Sequence, residues 1–562
     1  MNLKSAIAVG ACGAFLLTGC SKKMNQFSAD YFSVNPNPLE VVGDRVPATV
    51  TANIPAKFFV KNAEVTVTPY LMFNGKEVAS QPYSYQGEKV RGNATVISYD
   101  NGATVTIPVM YNYEPEMIES ELALAFNVKQ GKKEYVLPRV VVAKGVIATA
   151  AIADAADATP AIANDKFQRI INEKYAADIR FLINRANLRK EQLNSDEMNA
   201  LNKEINAANG APNREIAELN ISSYASPDGA LDFNTKLAEQ REKNTQKYLN
   251  DQLKKDNITE FGELTAQFTP EDWEGFQKLV SQSNIQDKEL ILSVLSMYKD
   301  PEQREKEIRN LSSVFDQLAE EILPQLRYSR ITASINVIGK SDEEIMKLAQ
   351  NDPKALTVDE ILYAATLTKD NAQKMKIYAA AAQIYPNDYR TFNNLGMTQF
   401  EAGDITAAKA NFTKAAKLAP NEAQPQLNLG LAALNSKDYR EANQKFGNAA
   451  GLSELGEATG TLALMQGDVN AAVKAFGDTK SNNAALAQIL AKNYSKANST
   501  LAGIANPDAT TYYLMAVLGA RTNNNSMVAS NLKKAVSLDN KLAAKAAKDL
   551  EFANFNVASI LN

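Results

Sequence analysis

The spacing of apolar and polar positions changes twice along the chain. From 31 to 145 apolar residues alternate with polar ones. ATVTANI (48–54), the Val65–Val67 run, ATVTIPVMY (103–111) and YVLPRVVVA (135–143) all have this period of two. Turn signals punctuate them at Asn74-Gly75, Asp100-Asn101-Gly102 and Gln130-Gly131. Such a pattern predicts a β-sandwich of about seven strands, immunoglobulin-like in general shape and acting as a spacer or docking module. Residues 146–164, VIATAAIADAADATPAIAN, are small, low in complexity and broken by Pro160, which predicts a semi-flexible linker, helical in part. Strand-like and helix-like stretches then alternate: DIRFLINRANL (178–188), DEMNALNKEINAAN (196–209), REIAELNISSYAS (214–226), a helix over 232–253, ELTAQF (263–268) and SRITASINVIG (329–339). A stretch of several helices interrupts that series at about 270–326; there Trp273, Phe276, Leu279 and Val280 share one face.

The last third repeats itself. Gly396 and Gly430 lie 34 residues apart, as do Ala408 and Ala442, Phe412 and Phe446, Ala415 and Ala449, and Pro386 and Pro420. Gly460, Ala472 and Phe476 restate the set 30 residues further on. Degenerate copies follow near 497–501 and 528–535, and KLAAKAAKDLEFANF (541–555) reads as a capping helix. The pattern L-G…A-x₃-F-x₂-A…P resembles the tetratricopeptide repeat. The resemblance implies five or six helix pairs from about 355 to 562 and a concave groove for peptide segments of a partner. Its groove positions fall on Arg390, Asn393, Asn394, Met397, Leu427, Asn428 and Leu431.

The middle segment also carries a resemblance. Tyr224-Ala225-Ser226-Pro227-Asp228-Gly229, with Asn234, Leu237, Arg241 and Tyr248-Leu249 on the following helix, is similar to the OmpA-like domain. In that family the domain binds peptidoglycan: an aspartate after the strand and an arginine on the helix hold the ammonium and carboxylate of a diaminopimelate residue. The family's arginine falls on Arg241, its asparagine on Asn234 and its turn glycine on Gly229, but its aspartate falls on Ser226. Asp228, two residues on, is the alternative carboxylate, and Arg330 falls near a basic position of the family. The loss of the aspartate leaves two readings open: a tether to peptidoglycan, or an assembly scaffold that does not bind it.

Composition narrows the chemistry. The 562 residues contain no histidine and only two cysteines, Cys12 and Cys20. This removes Ser-His-Asp and Cys-His nucleophiles, histidine bases and His/Cys metal sites. No cofactor or metal is expected, and the chain reads as non-enzymatic. A net charge of −4 gives no basic footprint for nucleic acid. The first twenty residues, MNLKSAIAVGACGAFLLTGC, have Lys4, an apolar run too short to span a bilayer, and Leu17-Thr18-Gly19-Cys20. That ending resembles a bacterial lipobox, which implies cleavage before Cys20, acylation of Cys20 and anchoring by acyl chains. Ser21 then implies the outer membrane, and the absence of acids just after it a periplasm-facing protein. The expected organisation is a signal peptide (1–19), a lipidated tether (20–30), a β-sandwich (31–145), the linker (146–164), an α+β OmpA-like domain with a helical insertion (165–345), and an all-α tetratricopeptide solenoid (346–562).

Overall fold

A computed structural model describes residues 23–310 and 312–562. The signal peptide and Cys20 lie outside the described residues. The chain divides into two compact units, one of residues 1–164 with 368–562 and one of 165–367.

The first unit begins with strands β1 (Phe32–Asn35), β2 (Leu39–Glu40), β3 (Arg45–Ile54), β4 (Ala63–Phe73), β5 (Lys76–Ala79), β6 (Tyr83–Gly87), β7 (Thr95–Ile97), β8 (Ala103–Asn112), β9 (Ser120–Gln130), β10 (Lys133–Lys144) and β11 (Val146–Ile147). They form a three-stranded sheet β1-β3-β8 and a six-stranded sheet β10-β9-β4-β6-β7 with β5 on β4, while β11 pairs with β2. Alternation does the sorting. Every second residue of β4 is buried, from Ala63 to Phe73, so one face of the strand joins the core and the other stays polar. Asn74 and Gly75 both adopt positive φ at the β4–β5 turn, the conformation a two-residue hairpin needs to follow strand twist. Of the lipidated tether expected at 20–30, residues 23–30 are described, and two of them pack into this domain. Met24 and Phe27 are buried in this core; Phe27 stacks on Phe126 at 4.2 Å, and the Met24 N–H donates to the Tyr135 hydroxyl at 3.1 Å. Two apolar side chains placed against the aromatic core of Phe58 and Phe126 gain more by burial than by remaining in water.

The same unit ends in helices. Their pairs are Tyr389–Glu401 with Ile405–Leu418, Ala423–Asn435 with Tyr439–Gly447, Leu455–Met465 with Val469–Phe476, Asn482–Leu490 with Tyr494–Ala502, and Ala509–Arg521 with Asn525–Leu538. Helix Asn371–Ile384 precedes them, and Lys541–Lys548 and Val557–Leu561 close the array. Aspartates 388, 404, 438, 468 and 508 cap the helix starts by accepting from first-turn N–H groups. The repeated glycines are explained by contact. A Cβ on Gly396 would lie 2.7 Å from the Phe412 ring, on Gly430 2.4 Å from Phe446, and on Gly460 2.9 Å from Phe476. Each glycine lets the two helices of its pair close over a buried phenylalanine.

The second unit is a four-stranded sheet. Its strands are β12 (Ile170–Arg180), β13 (Arg214–Tyr224), β14 (Glu263–Thr269) and β15 (Tyr328–Ile338), in the order β12-β15-β13-β14, with β13 and β14 parallel and the other pairs antiparallel. Helices α1 (Asp196–Asn209) and α2 (Leu231–Lys255) bury Met198, Leu201, Ile205, Leu249 and Leu253 in its core. Four helices, Trp273–Gln282, Lys288–Met297, Pro301–Asn310 and Ser312–Gln317, form the insertion between β14 and β15, and Phe276, Val280, Ile291 and Leu318 anchor a separate core there. The strand expected at 178–188 is corrected to Ile170–Arg180. Leu182 and Ile183 lie beyond its end, more than half exposed, in a loop whose carbonyls serve another purpose.

Candidate functional site: an occupied repeat groove and a closed arginine cluster

The first helices of successive pairs line the groove of the array, and the groove is filled. Residues 149–164 lie along it, starting at the C-terminal end of the array and finishing at the first pair. Asn428 Nδ2 donates to the Ala161 carbonyl at 2.8 Å while its Oδ1 accepts the Ala161 N–H at 2.7 Å. Asn394 makes the same two bonds to Ala163, both 2.9 Å. Asn483 makes them to Asp154, at 2.6 and 3.2 Å. A carboxamide presents a donor and an acceptor side by side, so each asparagine matches one residue's N–H and C=O. Asn393 adds a bond to the Ala161 carbonyl at 3.0 Å, Glu457 accepts the Thr159 N–H at 3.2 Å, and Thr149 Oγ1 donates to Glu551. Asn393 and Asn428 also bond each other at 3.0 Å, which fixes their orientation.

The side chains of the segment fit because they are small. Ala155, Ala158, Ala161 and Ala163 are at most 2% exposed. The linker expected at 146–164 is helical in part as expected, with 3-10 turns at Thr149–Ile152 and Ala155–Asp157, but its semi-flexible character is corrected. Val146 and Ile147 form a strand with β2, and the remainder is a docked peptide. Of the groove positions expected from sequence, Asn393, Asn394 and Asn428 bind this segment directly. Arg390 reaches the Asn164 carbonyl at 3.5 Å and pairs with Asp388 at 2.7 Å. Met397, Leu427 and Leu431 are buried apolar residues of the same helices. Asn483, Glu457 and Thr149 were not anticipated. A signal for Asn483 does exist: Asn394 and Asn428 stand two residues before Gly396 and Gly430, and Asn483 stands two before Ala485, itself twelve residues before Ala497 as Gly396 is before Ala408.

One titrating group faces this contact. Half-buried Asp157 has its carboxyl pushed up to about 7, first by burial and then by the charges of Asp154, Asp508 and Glu457.

In the second unit the residues expected to meet a ligand meet one another. Arg241 is 1% exposed, and its three nitrogens donate to main-chain carbonyls: Nε to Arg185 at 3.1 Å, Nη1 to Tyr224 at 2.8 Å and Nη2 to Leu182 at 3.4 Å. Its guanidinium also lies 4.9 Å from the centre of the Phe181 ring. Burial, and then the nearby Arg327 charge, lower its pKa to about 10. Asp228 binds Arg327 Nη2 at 2.9 Å and accepts from the Ser226 hydroxyl, which in turn accepts from Arg327 Nε at 3.1 Å. Asn234 holds the turn by donating to the Ser226 and Gly229 carbonyls at 3.2 and 3.0 Å. From the insertion, Arg309 donates to the Asp228 carbonyl at 2.6 Å. Arg330 lies on β15 in a two-bond pair with Asp178 of β12, at 2.8 and 2.9 Å, and that pairing raises its pKa. The structure thus brings Ser226, Asp228, Asn234 and Arg241 to one turn, with Arg327 as the partner that sequence reasoning missed.

No group of three or more potential metal ligands occurs among the described residues, and no described helix is long and apolar enough to cross a membrane. No family model matches the chain, and no curated protein sequence does. Solved structures similar to it are tetratricopeptide proteins. One from Parabacteroides merdae is 14% identical and covers 39% of this chain and 89% of its own, at a TM-score of 0.29. PilF of Pseudomonas aeruginosa is 16% identical over 38% of this chain and 99% of its own, also at 0.29. The Cut9–Hcn1 tetramer of the APC/C is 13% identical over 60% of this chain and 66% of its own, at 0.30. The architecture of this chain, from its own elements, is a β-rich N-terminal region and a C-terminal array of helix pairs that repeats the glycine–phenylalanine contact.

Proposed function

We propose that this protein is a non-enzymatic scaffold of the bacterial cell envelope, anchored in the outer membrane through acylated Cys20 and facing the periplasm, and that it does not bind peptidoglycan. The observation that carries the scaffold reading is the groove. Three asparagines hold the main chain of a peptide segment, which is the chemistry of a peptide-binding array rather than of a reaction centre. Anchoring rests on the lipobox-like Leu17–Cys20. With Met24 already buried, the four residue-to-residue steps from Cys20 to Met24 span at most about 14 Å, which would hold the β-rich domain against the bilayer surface.

The OmpA-like reading of residues 165–345 is supported by the strand order, the turn at 224–229 and the placement of Arg241 on the following helix. Against ligand binding stand the bonds within the cluster. A carboxylate needs free guanidinium donors, and an ammonium needs a free carboxylate. Here Arg241 faces three carbonyls and Asp228 is paired with Arg327. We therefore favour an adaptor role over the peptidoglycan tether.

The test is co-sedimentation of the lipid-free chain, starting at Ser21, with purified sacculi, alongside its Arg241→Lys variant. The proposal expects both to stay in solution. Pelleting of the parent but not the variant would restore the tether. Anchoring is checked separately by incorporation of an alkynyl palmitate into the full-length chain and its loss in Cys20→Ser.

A further inference from the structure

The docked segment is a template for what the groove recognises. All three asparagine pairs address main-chain groups, so they select an extended backbone at the positions of residues 154, 161 and 163 and are indifferent to side-chain identity there, apart from size. Size is set by burial: the Cβ atoms of Ala155, Ala158, Ala161 and Ala163 end against the groove, and Pro160 is buried between two of them. Proline suits that position, since its fixed φ lowers the entropy lost when an extended chain is ordered. Charge is concentrated near the middle of the segment. Near Asp157 the array presents Glu457 and Asp508, and the segment itself adds Asp154.

The segment is also held in a way that permits exchange. Each asparagine bond would be made equally well by any extended peptide with small residues in that register. Covalent linkage gives the internal copy an advantage of effective concentration, not of distinctive contacts.

Resting on the scaffold reading, we infer that the repeat groove is a site for an alanine- and proline-rich peptide read through its main chain, with residues 149–164, two short 3-10 turns joined and followed by extended chain, as its resident occupant. Its ligand is a segment with small residues at the four buried alanine positions.

The experiment replaces residues 153–164 of the full chain, starting at Ser21, by a glycine/serine run of equal length with arginine at positions 155, 158, 161 and 163, which preserves reach and is kept out of the groove by size. Binding of a fluorescent synthetic peptide with the sequence of residues 152–165 is then measured. The parent chain should bind it weakly or not at all, and the replaced chain should bind it saturably. Asn428→Ala in the replaced chain should weaken binding by about tenfold, the loss of two buried hydrogen bonds. A peptide with Asp157→Asn should bind the replaced chain more tightly at pH 8 than the parent peptide does, and one with Ala161→Leu should not bind. Should the replacement lower the melting temperature below the working range, the Ala161→Arg/Ala163→Arg chain evicts the segment by size and carries the same measurements. A folded, evicted chain that fails to bind the peptide, or binds it regardless of Asn428, overturns the inference. Failure here leaves the sacculus result standing, and the reverse holds too, because the two assays read different units.

Discussion

The repeat groove and the arginine cluster look alike in one respect. Each holds the residue types that a ligand would need, and each is satisfied by groups of the same chain. They differ in how. In the groove, neutral carboxamides bind a segment more than 200 residues away in sequence, through bonds that any extended peptide can make. In the cluster, a buried guanidinium is fixed by carbonyls of the strand end and loop that make up its own domain, and a carboxylate is fixed by Arg327. A neutral contact with a tethered segment can open locally without unfolding its surroundings. A buried charge cannot leave its partners without a large cost. The groove is therefore a site with an occupant, and the cluster is part of the fold.

Breaking the cluster should have the largest effect. Arg241→Ala removes three charge-assisted bonds and leaves Tyr224, Arg185 and Leu182 with unpaired carbonyls, so the second unit should lose roughly 3–5 kcal/mol, read as a shift of its urea midpoint. A change within error would mean that Arg241 is solvated and free for a ligand. Asp228→Asn should cost about 3 kcal/mol by stranding Arg327, and pairing it with Arg327→Met should recover much of that loss in a double-mutant cycle. Additive losses would contradict the pairing.

Breaking the groove contact should cost less and act locally. Asn428→Ala strands the Ala161 N–H, leaves its C=O to Asn393 alone, and should destabilise the docked segment by about 2 kcal/mol. Asp-N digestion reads this: residues 149–165 should become cleavable at Asp154 and Asp157 while the helix pairs stay intact. Parent-like resistance would separate Asn428 from the seating of the segment.

The smallest effect is one of pH. The folded-state pKa of Asp157, about 7, is above the ordinary aspartate value, so its protonated form favours the docked state. That contribution is fully present below about pH 4 and fades as pH rises through 7. Amide protection at 154–159 should fall between pH 6 and 8, and Asp157→Asn should flatten that profile while raising protection at pH 8. An unchanged slope in the variant would assign the pH dependence to other groups.

What was legible in the sequence follows from locality. The expected helix 196–209 matches Asp196–Asn209, and the glycine–phenylalanine repeats located the helix pairs, because those signals arise from neighbours within one hairpin. The Ala-rich segment was opaque for the opposite reason. Its partners are distant in sequence and bind its backbone, so its side chains carry no period and its composition reads as a linker. Arg327 was missed as the partner of Asp228 because 99 residues separate them, and the strand at 170–180 because exposed Ile170 and Ile171 break its alternation.

The occupied groove is the central claim, and hydrogen exchange on the full chain at pH 6 tests it most directly. The Ala161 and Ala163 amides should exchange as slowly as those of the flanking repeat helices, and faster once Asn394 and Asn428 are both alanine. Exchange of these two amides at the rate of a free peptide would contradict it, and would return residues 149–164 to the status of an open linker.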